Sequence, residues 1–379
     1  MKIVVAPNAF KDSLTAEQAC SAIITRIRRV LPHTTLVSIP IADGGDGLLD
    51  VLHAALGGEM VKKTVTGPLF TKVEADFLYL PNQKTAVIEM ARASGLAMLR
   101  PEERDAREAT SLGTGELVLS AIEMGAKKIL IGIGGSASND GGMGFAAALG
   151  VKFLDADGKE VRLVGENLGK VATIDTSQIK NGVAEIEFEA VCDVDNPLTG
   201  EHGAAAIFGP QKGASQEDVK FLDAGLSSLA AKVREQFGQD YETMPGAGAA
   251  GGLGFGLAAL FKARLRPGVD IVLDMVGIDK ELGDADLCFT AEGCIDNQTA
   301  FGKGPAGVGI RSKRKGVPCL ALAGGLSGDY SALHDMGINA CFSLCKMPMS
   351  LDEAMKNGSD LLADVAEQAL RAFLAAYKL

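Results

Sequence analysis

The sequence predicts an α/β protein of two domains, a parallel-sheet domain interrupted by a second, α+β domain. Three observations predict it. Apolar strands alternate with helices at both ends of the chain, an arrangement that implies a parallel sheet covered on both faces. The middle of the chain has a different texture, with a hairpin and a long amphipathic helix. Two apolar runs, Lys128-Ile-Leu-Ile131 and Leu287-Cys-Phe-Thr290, break off into turns rich in Gly, Ser, Asn and Asp, at Gly132–Gly142 and Ala291–Thr299. In α/β proteins ligands sit at the carboxyl ends of strands. Glycines let backbone N–H groups approach an anion, and acidic residues can hold a metal ion. The pattern points to a polar, phosphorylated ligand.

The elements follow in order. Lys2–Pro7 reads as a strand. Thr15–Leu31 reads as a helix: Thr15 with Gln18 makes a capping box, and Ala16, Ala19, Cys20, Ile23, Ile27 and Val30 recur at helical spacing. Pro32 stops it. Leu36–Ile41 is the next strand, ending in Ala42-Asp-Gly-Gly-Asp-Gly47, and a helix runs from Leu48 to Leu56 before Gly57 and Gly58. Val73–Leu80 and Thr85–Glu89 form a hairpin around Pro81-Asn82-Gln83. Residues 113–150 read as helix, strand, glycine loop and short helix. Ile186–Cys192 is a strand and Phe221–Phe237 an amphipathic helix. Then come strands at Leu287–Thr290, Cys319–Ala323 and Ala340–Leu344, helices near Pro305–Lys313 and Tyr330–Met336, and a last helix over Ser350–Tyr377. The parallel-sheet domain therefore takes residues 1–60 and 285–379 and the inserted one 61–284, with 111–150 compatible with either.

Composition narrows the function. The 379 residues are 47% apolar and 22% charged, a soluble globular profile. Aromatics are 5%, Trp is absent and the net charge is −11, which argues against nucleic acid as partner. No apolar run reaches the ~18 residues of a membrane span, and Met1–Pro7 opens a strand rather than a signal peptide. Seven scattered Cys and four His fit reduced thiols in a cytoplasmic protein better than a zinc site.

Several residues are candidates for chemistry. Asp43 and Asp46 follow a strand end and can bind a divalent cation, or cap the next helix. Ser136, Asn139 and Asp140 are candidate phosphate, substrate or metal contacts. Gly132-Ile-Gly-Gly-Ser-Ala137 also matches the dinucleotide fingerprint, with Asp155 near the expected offset, although no helix opens at the glycines. Asp193 and Asp195 end a strand, where either can act as base or metal ligand, or merely shape the turn before Pro197. One of Arg100, Arg104 and Arg107 could clamp a carboxylate. Lys11 lies between a strand end and a helix start, where anions collect, so it ranks above Lys212, which reads as an ordinary surface lysine. No P-loop, kinase signature set or G-x-S-x-G elbow is present.

Taken together the motifs resemble the bacterial glycerate kinase family. The stretches that carry the resemblance are Ala6–Leu14, Ala42–Gly47, Arg100–Asp105, Gly113–Glu116 and Gly132–Gly142. Cys192–Leu198, Phe208–Ala214, Gly246–Gly254 and Glu292–Gln298 follow in the expected order. The resemblance implies a two-domain enzyme with a Rossmann/flavodoxin-like domain and an active site in the cleft between domains. It implies transfer of phosphate from ATP to D-glycerate, giving 2-phosphoglycerate, with Mg²⁺. On that reading Asp193 is the base or orienting acid, with Lys11 and Asp296 beside it as catalytic groups. Asp43 and Asp296 contact Mg²⁺ with Glu292 behind them, Ser136, Asn139 and Asp140 face phosphate or substrate, and Arg104 and Lys303 are anion clamps. The partners are the small molecules D-glycerate and ATP, the state monomer or homodimer. The chain departs from the family pattern at Asp46, Leu48, Ala291 and Cys294, where Glu, Thr, Gly and Arg are usual; these changes bear on substrate fit. The rival readings are an NAD-dependent oxidoreductase, on the fingerprint and Asp155, and a non-catalytic sugar-acid sensor on the same fold.

Overall fold

A computed structural model of the chain describes residues 1–42, 47–297, 299 and 303–377. Its strands are β1 (Lys2–Pro7), β2 (Thr35–Ser38), β3 (Glu59–Thr66), β4 (Lys72–Leu80), β5 (Thr85–Glu89), β6 (Lys128–Gly132) and β7 (Lys152–Leu154). Then follow β8 (Thr173–Asp175), β9 (Glu187–Val191), β10 (Arg264–Arg266), β11 (Leu287–Ile295), β12 (Cys319–Leu326) and β13 (Ile338–Ser343). The chain divides into two compact units, Met1–Gly47 with Gly268–Leu379, and Leu48–Pro267.

The first unit is a five-stranded sheet of order β13-β12-β11-β1-β2, parallel throughout. Ile3, Val5, Phe289 and Leu322 pack against the helices Ala16–Val30 and Gly358–Tyr377. The helix Gly304–Lys315 packs on β1, β11, β12 and β13. The capping box of Thr15 and Gln18 is formed in both directions, so the first helix starts where the local signal puts it. The expected last helix is two, Leu351–Lys356 and Gly358–Tyr377, broken at Asn357, whose side chain donates to the Glu353 carbonyl.

The second unit holds a six-stranded sheet of order β10-β9-β6-β5-β4-β3 and a separate ribbon of β7 and β8. β10, β9, β6 and β5 run parallel; β4 and β3 run antiparallel, and β4 with β5 is the expected hairpin. β3, β7, β8 and β10 were not legible as strands in the sequence. The mixed sheet gives this unit more parallel character than an α+β domain.

The division between units falls at 47/48 and 267/268, whereas the sequence suggests 60 and 285. Packing accounts for the difference. Leu48, Leu49 and Leu52 are wholly buried, and their helix Leu48–Leu56 lies on β4 and β5. Arg92 ties it down, donating to Asp50 at 3.0 Å, Asp76 at 2.8 Å and Glu89 at 2.8 Å. At the other boundary Arg311, 8% exposed, pairs with Asp270, Asp274 and Asp279. It thereby holds the helices Gly268–Met275 and Ile278–Leu282 on Gly304–Lys315. Residues 111–150 lie in the second unit.

Candidate functional site

Two clusters carry the candidate chemistry, one in each unit. In the second unit, Glu89, Gly132 and Val191 are lateral neighbours across β5, β6 and β9. The loops that follow these three strands therefore leave one edge of the sheet together, at its carboxyl end. One carries Ser136, Asn139 and Asp140; another carries Asp193, which is exposed just past β9.

The loop at 133–142 is held from several sides. Leu96 N–H donates to the Gly135 carbonyl at 2.8 Å and Ala137 N–H to the Ser94 carbonyl at 2.9 Å. Gly141 N–H donates to the Gly251 carbonyl at 3.0 Å. Ala250, Gly251 and Gly252 are left-handed, with φ of 55°, 66° and 91°. A Cβ on Gly251 would stand 2.1 Å from the Ser138 carbonyl oxygen, so only glycine fits. The glycine-rich stretch from Gly246 is thus the surface on which the loop rests.

Asp140 faces inward, against the expectation of a ligand contact. It is wholly buried and accepts from Ser111 N–H at 2.8 Å, Ser111 Oγ at 2.8 Å, Gly142 N–H at 3.1 Å and Gly144 N–H at 3.2 Å. Burial pushes its carboxyl up, against these hydrogen bonds. Its geometry is that of a brace between the loop and the helix Leu112–Glu123.

Lys212 corrects the reading of it as a surface lysine. It is 1% exposed and its Nζ donates to Ser136 Oγ at 2.8 Å and to the Ser138 carbonyl at 2.7 Å. Burial pushes the ammonium down to about 7, opposed by the charge of Asp140. Gly213 makes this approach possible: at φ +91° it lets the turn lie against Arg104, whose carbonyl oxygen is 2.2 Å from where a Cβ would stand. The local signal was slight, a lysine followed by glycine after the apolar segment Ala204–Phe208.

The three arginines separate by partner. Arg100 pairs with Glu103 and Arg107 with Glu166 and Asp218. Arg104 meets no carboxylate among the described residues; its Nη1 donates to the Gln211 carbonyl at 3.3 Å, and its Nε is buried without a partner. Asn139 and Ser138 are wholly buried, and Asn139 Oδ1, Asn139 Nδ2 and Ser138 Oγ likewise have no partner.

In the first unit a cavity of about 790 Å³ opens beyond the strand ends of β1 and β11. Lys11, Glu292, Cys294 and Lys303 line it together with Phe10, Leu344 and Leu361. Asn8 N–H donates to the Ala291 carbonyl at 2.8 Å, which sets the 8–14 turn on β11. Lys11 is exposed, Glu292 is 5% exposed and accepts from Thr299 Oγ1 at 2.6 Å. Asp296 Oδ1 accepts from Thr299 N–H at 3.2 Å. Lys303 precedes the helix Gly304–Lys315. The structure therefore gathers Lys11, Glu292 and Lys303 at one cavity. Asp43 and Asp46 lie outside the described residues. Among the described residues no group of three His, Cys, Asp or Glu could hold a metal ion, and no helix is long and apolar enough to cross a membrane.

The dinucleotide reading fails on topology. β6 is flanked by β5 and β9, whereas Asp155 follows β7 in the separate ribbon, where it accepts from Asp157 and Lys159 N–H. The helix after the glycines begins only at Met143.

Comparison with known proteins agrees with the motif pattern. Residues 3–374 match the glycerate kinase family. A glycerate kinase of Halalkalibacterium halodurans is 45% identical over 364 residues, 96% of each chain. A glycerate 2-kinase of Escherichia coli is 43% identical over 360 residues, covering 95% of this chain and 94% of that one. The crystal structure of a provisionally named glycerate kinase 2 from Salmonella typhimurium superposes with a TM-score of 0.89 at 40% identity, over 100% of both chains. Neither the oxidoreductase nor the sensor reading gains support.

Proposed function

The chain belongs to the glycerate kinase family, and from that premise we propose that it transfers a phosphoryl group from ATP to the 2-hydroxyl of D-glycerate, giving 2-phosphoglycerate. The observation that carries this reading is the loop of Ser136 to Asp140, braced at the carboxyl end of parallel strands in a chain that glycerate kinases match nearly end to end.

Phosphoryl transfer to a hydroxyl requires alignment, removal of one proton and neutralisation of phosphate charge. Asp193, exposed past β9, takes the proton of the attacking hydroxyl. Ser136, held by Lys212, is the loop side chain that orients the acceptor, while the wholly buried Asn139 and Asp140 belong to the loop's support. Lys11 and Lys303 are the cations offered for phosphate charge at the cavity of the first unit, where the apolar wall of Phe10, Leu344 and Leu361 suits a nucleotide base. Glu292 and Asp296 carry carboxylate oxygens, the donor type Mg²⁺ takes, and with Asp43, which lies outside the described residues, they are the candidates to hold that ion. Bound there, Mg²⁺ would supply charge neutralisation at the phosphate oxygens.

Incubation with D-glycerate and Mg-ATP followed by phosphorus NMR tests the reading. The expected product is 2-phosphoglycerate with ADP. Accumulation of the 3-phosphate would overturn the regiochemistry, and no phosphorylated acid would overturn the activity.

A further inference from the structure

One wall of the cavity in the first unit is the segment 8–13. Phe10 N–H donates to the Leu14 carbonyl at 2.8 Å and Ser13 N–H to the Phe10 carbonyl at 2.9 Å, which closes a tight turn with Lys11 and Asp12 in its middle. Asp12 is left-handed, with φ of 60°. Glycine would hold that position with less strain, so what aspartate brings to it is a carboxylate. Among the described residues, Asp12 alone of the left-handed residues other than glycine lines the cavity. It is exposed there, and among the described residues no hydrogen bond or ion pair engages its carboxylate. Backbone held in a sparsely populated region gathers at ligand sites.

The turn joins two parts of the cavity that differ in chemistry. On one side it rests on β11: a Cβ on Gly293 would lie 3.6 Å from the Lys11 nitrogen. Lys11 shares the cavity with Lys303, the residue at which the helix Gly304–Lys315 starts. Two cations and a helix N-terminus suit phosphate. On the other side Ser13 Oγ donates to the Met355 carbonyl at 2.8 Å. Leu351, Ala354 and Met355 line the cavity from the short helix Leu351–Lys356, which buries none of its residues, and Leu351 is 74% exposed. That bare apolar rim suits a base. Asp12 lies between Lys11 and Ser13 in the turn, and so between the two parts.

A nucleotide laid with its phosphates toward Lys11 and Lys303 and its base against the apolar rim brings its sugar to Asp12. An ionised carboxylate accepts through two oxygens and donates nothing, which matches two neighbouring hydroxyls. Dinucleotide sites use an acidic residue on ribose in the same way. We propose that Asp12 is the ribose-binding residue of the nucleotide site, accepting from the 2′- and 3′-hydroxyls. This inference rests on reading the cavity as the nucleotide site, and adds what that site recognises between phosphate and base.

Calorimetry on the full chain tests the proposal, with ATP, 2′-deoxy-ATP and 3′-deoxy-ATP, each with Mg²⁺ and without D-glycerate. The variants are Asp12→Gly and Asp12→Asn, beside Lys11→Ala and Lys303→Ala. Wild type should bind ATP about tenfold more tightly than either deoxy nucleotide, since hydrogen bonds to a charged acceptor are the strong ones. Asp12→Gly should lose about tenfold in ATP affinity and bind the three nucleotides alike. Its melting temperature should stay near that of wild type, because glycine fits a φ of 60°. Asp12→Asn, which keeps one acceptor oxygen, should fall between the two. Equal affinity of wild type for ATP and both deoxy nucleotides overturns the proposal, as does an Asp12→Gly variant that keeps the wild-type preference for ATP. An equal loss for all three nucleotides that raised Mg²⁺ restores also overturns it, by making Asp12 a metal ligand. In any of these cases, weakened ATP binding by Lys11→Ala and Lys303→Ala leaves the nucleotide cavity standing without the ribose contact. If neither lysine variant weakens ATP, the cavity reading fails and the proposal with it.

Discussion

The ammonium of Lys212 lies 2.8 Å from Ser136 Oγ, with both side chains nearly closed to solvent. A cation thereby lies against the loop whose Ser136, Asn139 and Asp140 the sequence offers as phosphate, substrate or metal contacts. The sequence ranks Lys11 above Lys212 for activity; Lys212 is buried rather than on the surface, and comparing kcat and KM of Lys11→Ala and Lys212→Ala tests the ranking.

Lys212 makes stability depend on pH. Its ammonium titrates near 10.5 when unfolded and about 7 when folded, because burial disfavours the charge. Between those values the unfolded chain binds the extra proton, so this residue makes stability rise with pH from about 7 to 10.5. Below about 7 both states carry the charge and the cost of burying it is fully present. Urea midpoints of wild type and Lys212→Met across this range check the point; equal slopes would sink it.

Gly251→Ala forces a side chain at φ +66° onto the Ser138 carbonyl. It should cost about 1–3 kcal/mol of stability and displace the loop, lowering kcat as well. Thermal melts and steady-state kinetics read both effects. A fully stable, fully active protein would mean the two segments separate without penalty.

Asp193→Asn keeps the shape of the side chain and removes its charge and proton-accepting power. With a catalytic role kcat should fall by about 10²–10⁴, with little change in melting temperature. Should the variant turn over at nearly the wild-type rate, the base lies elsewhere and Asp296 is the next residue to test.

Lys11→Ala should raise KM for ATP, or lower kcat, by roughly tenfold, about 1.4 kcal/mol, while D-glycerate binding stays intact. Calorimetry with each substrate separates the two. A defect confined to D-glycerate would move Lys11 out of the nucleotide cavity's role.

EDTA should abolish turnover and added Mg²⁺ restore it, since phosphate oxygens in an acidic protein need a cation. Undiminished activity in EDTA would remove the metal roles given to Asp43 and Asp296.

The order of strands and helices was legible wherever the signal is local. Lys2–Pro7 and Leu48–Leu56 begin and end where apolar runs and Gly57 indicate, and the first helix is capped by Thr15 with Gln18 and ends just before Pro32. The polar glycine turns and their family resemblance were legible too, because they depend on residue type and order along the chain. What the tertiary structure alone decided is non-local. Nothing near Lys212 in the chain reveals that it reaches Ser136, and nothing near Asp155 reveals that its strand joins a separate ribbon. The register that sets Glu89, Gly132 and Val191 side by side comes from pairing strands far apart in sequence. Capping and periodicity act within a few residues, whereas burial, charge compensation and strand register are set by whatever the rest of the chain brings alongside.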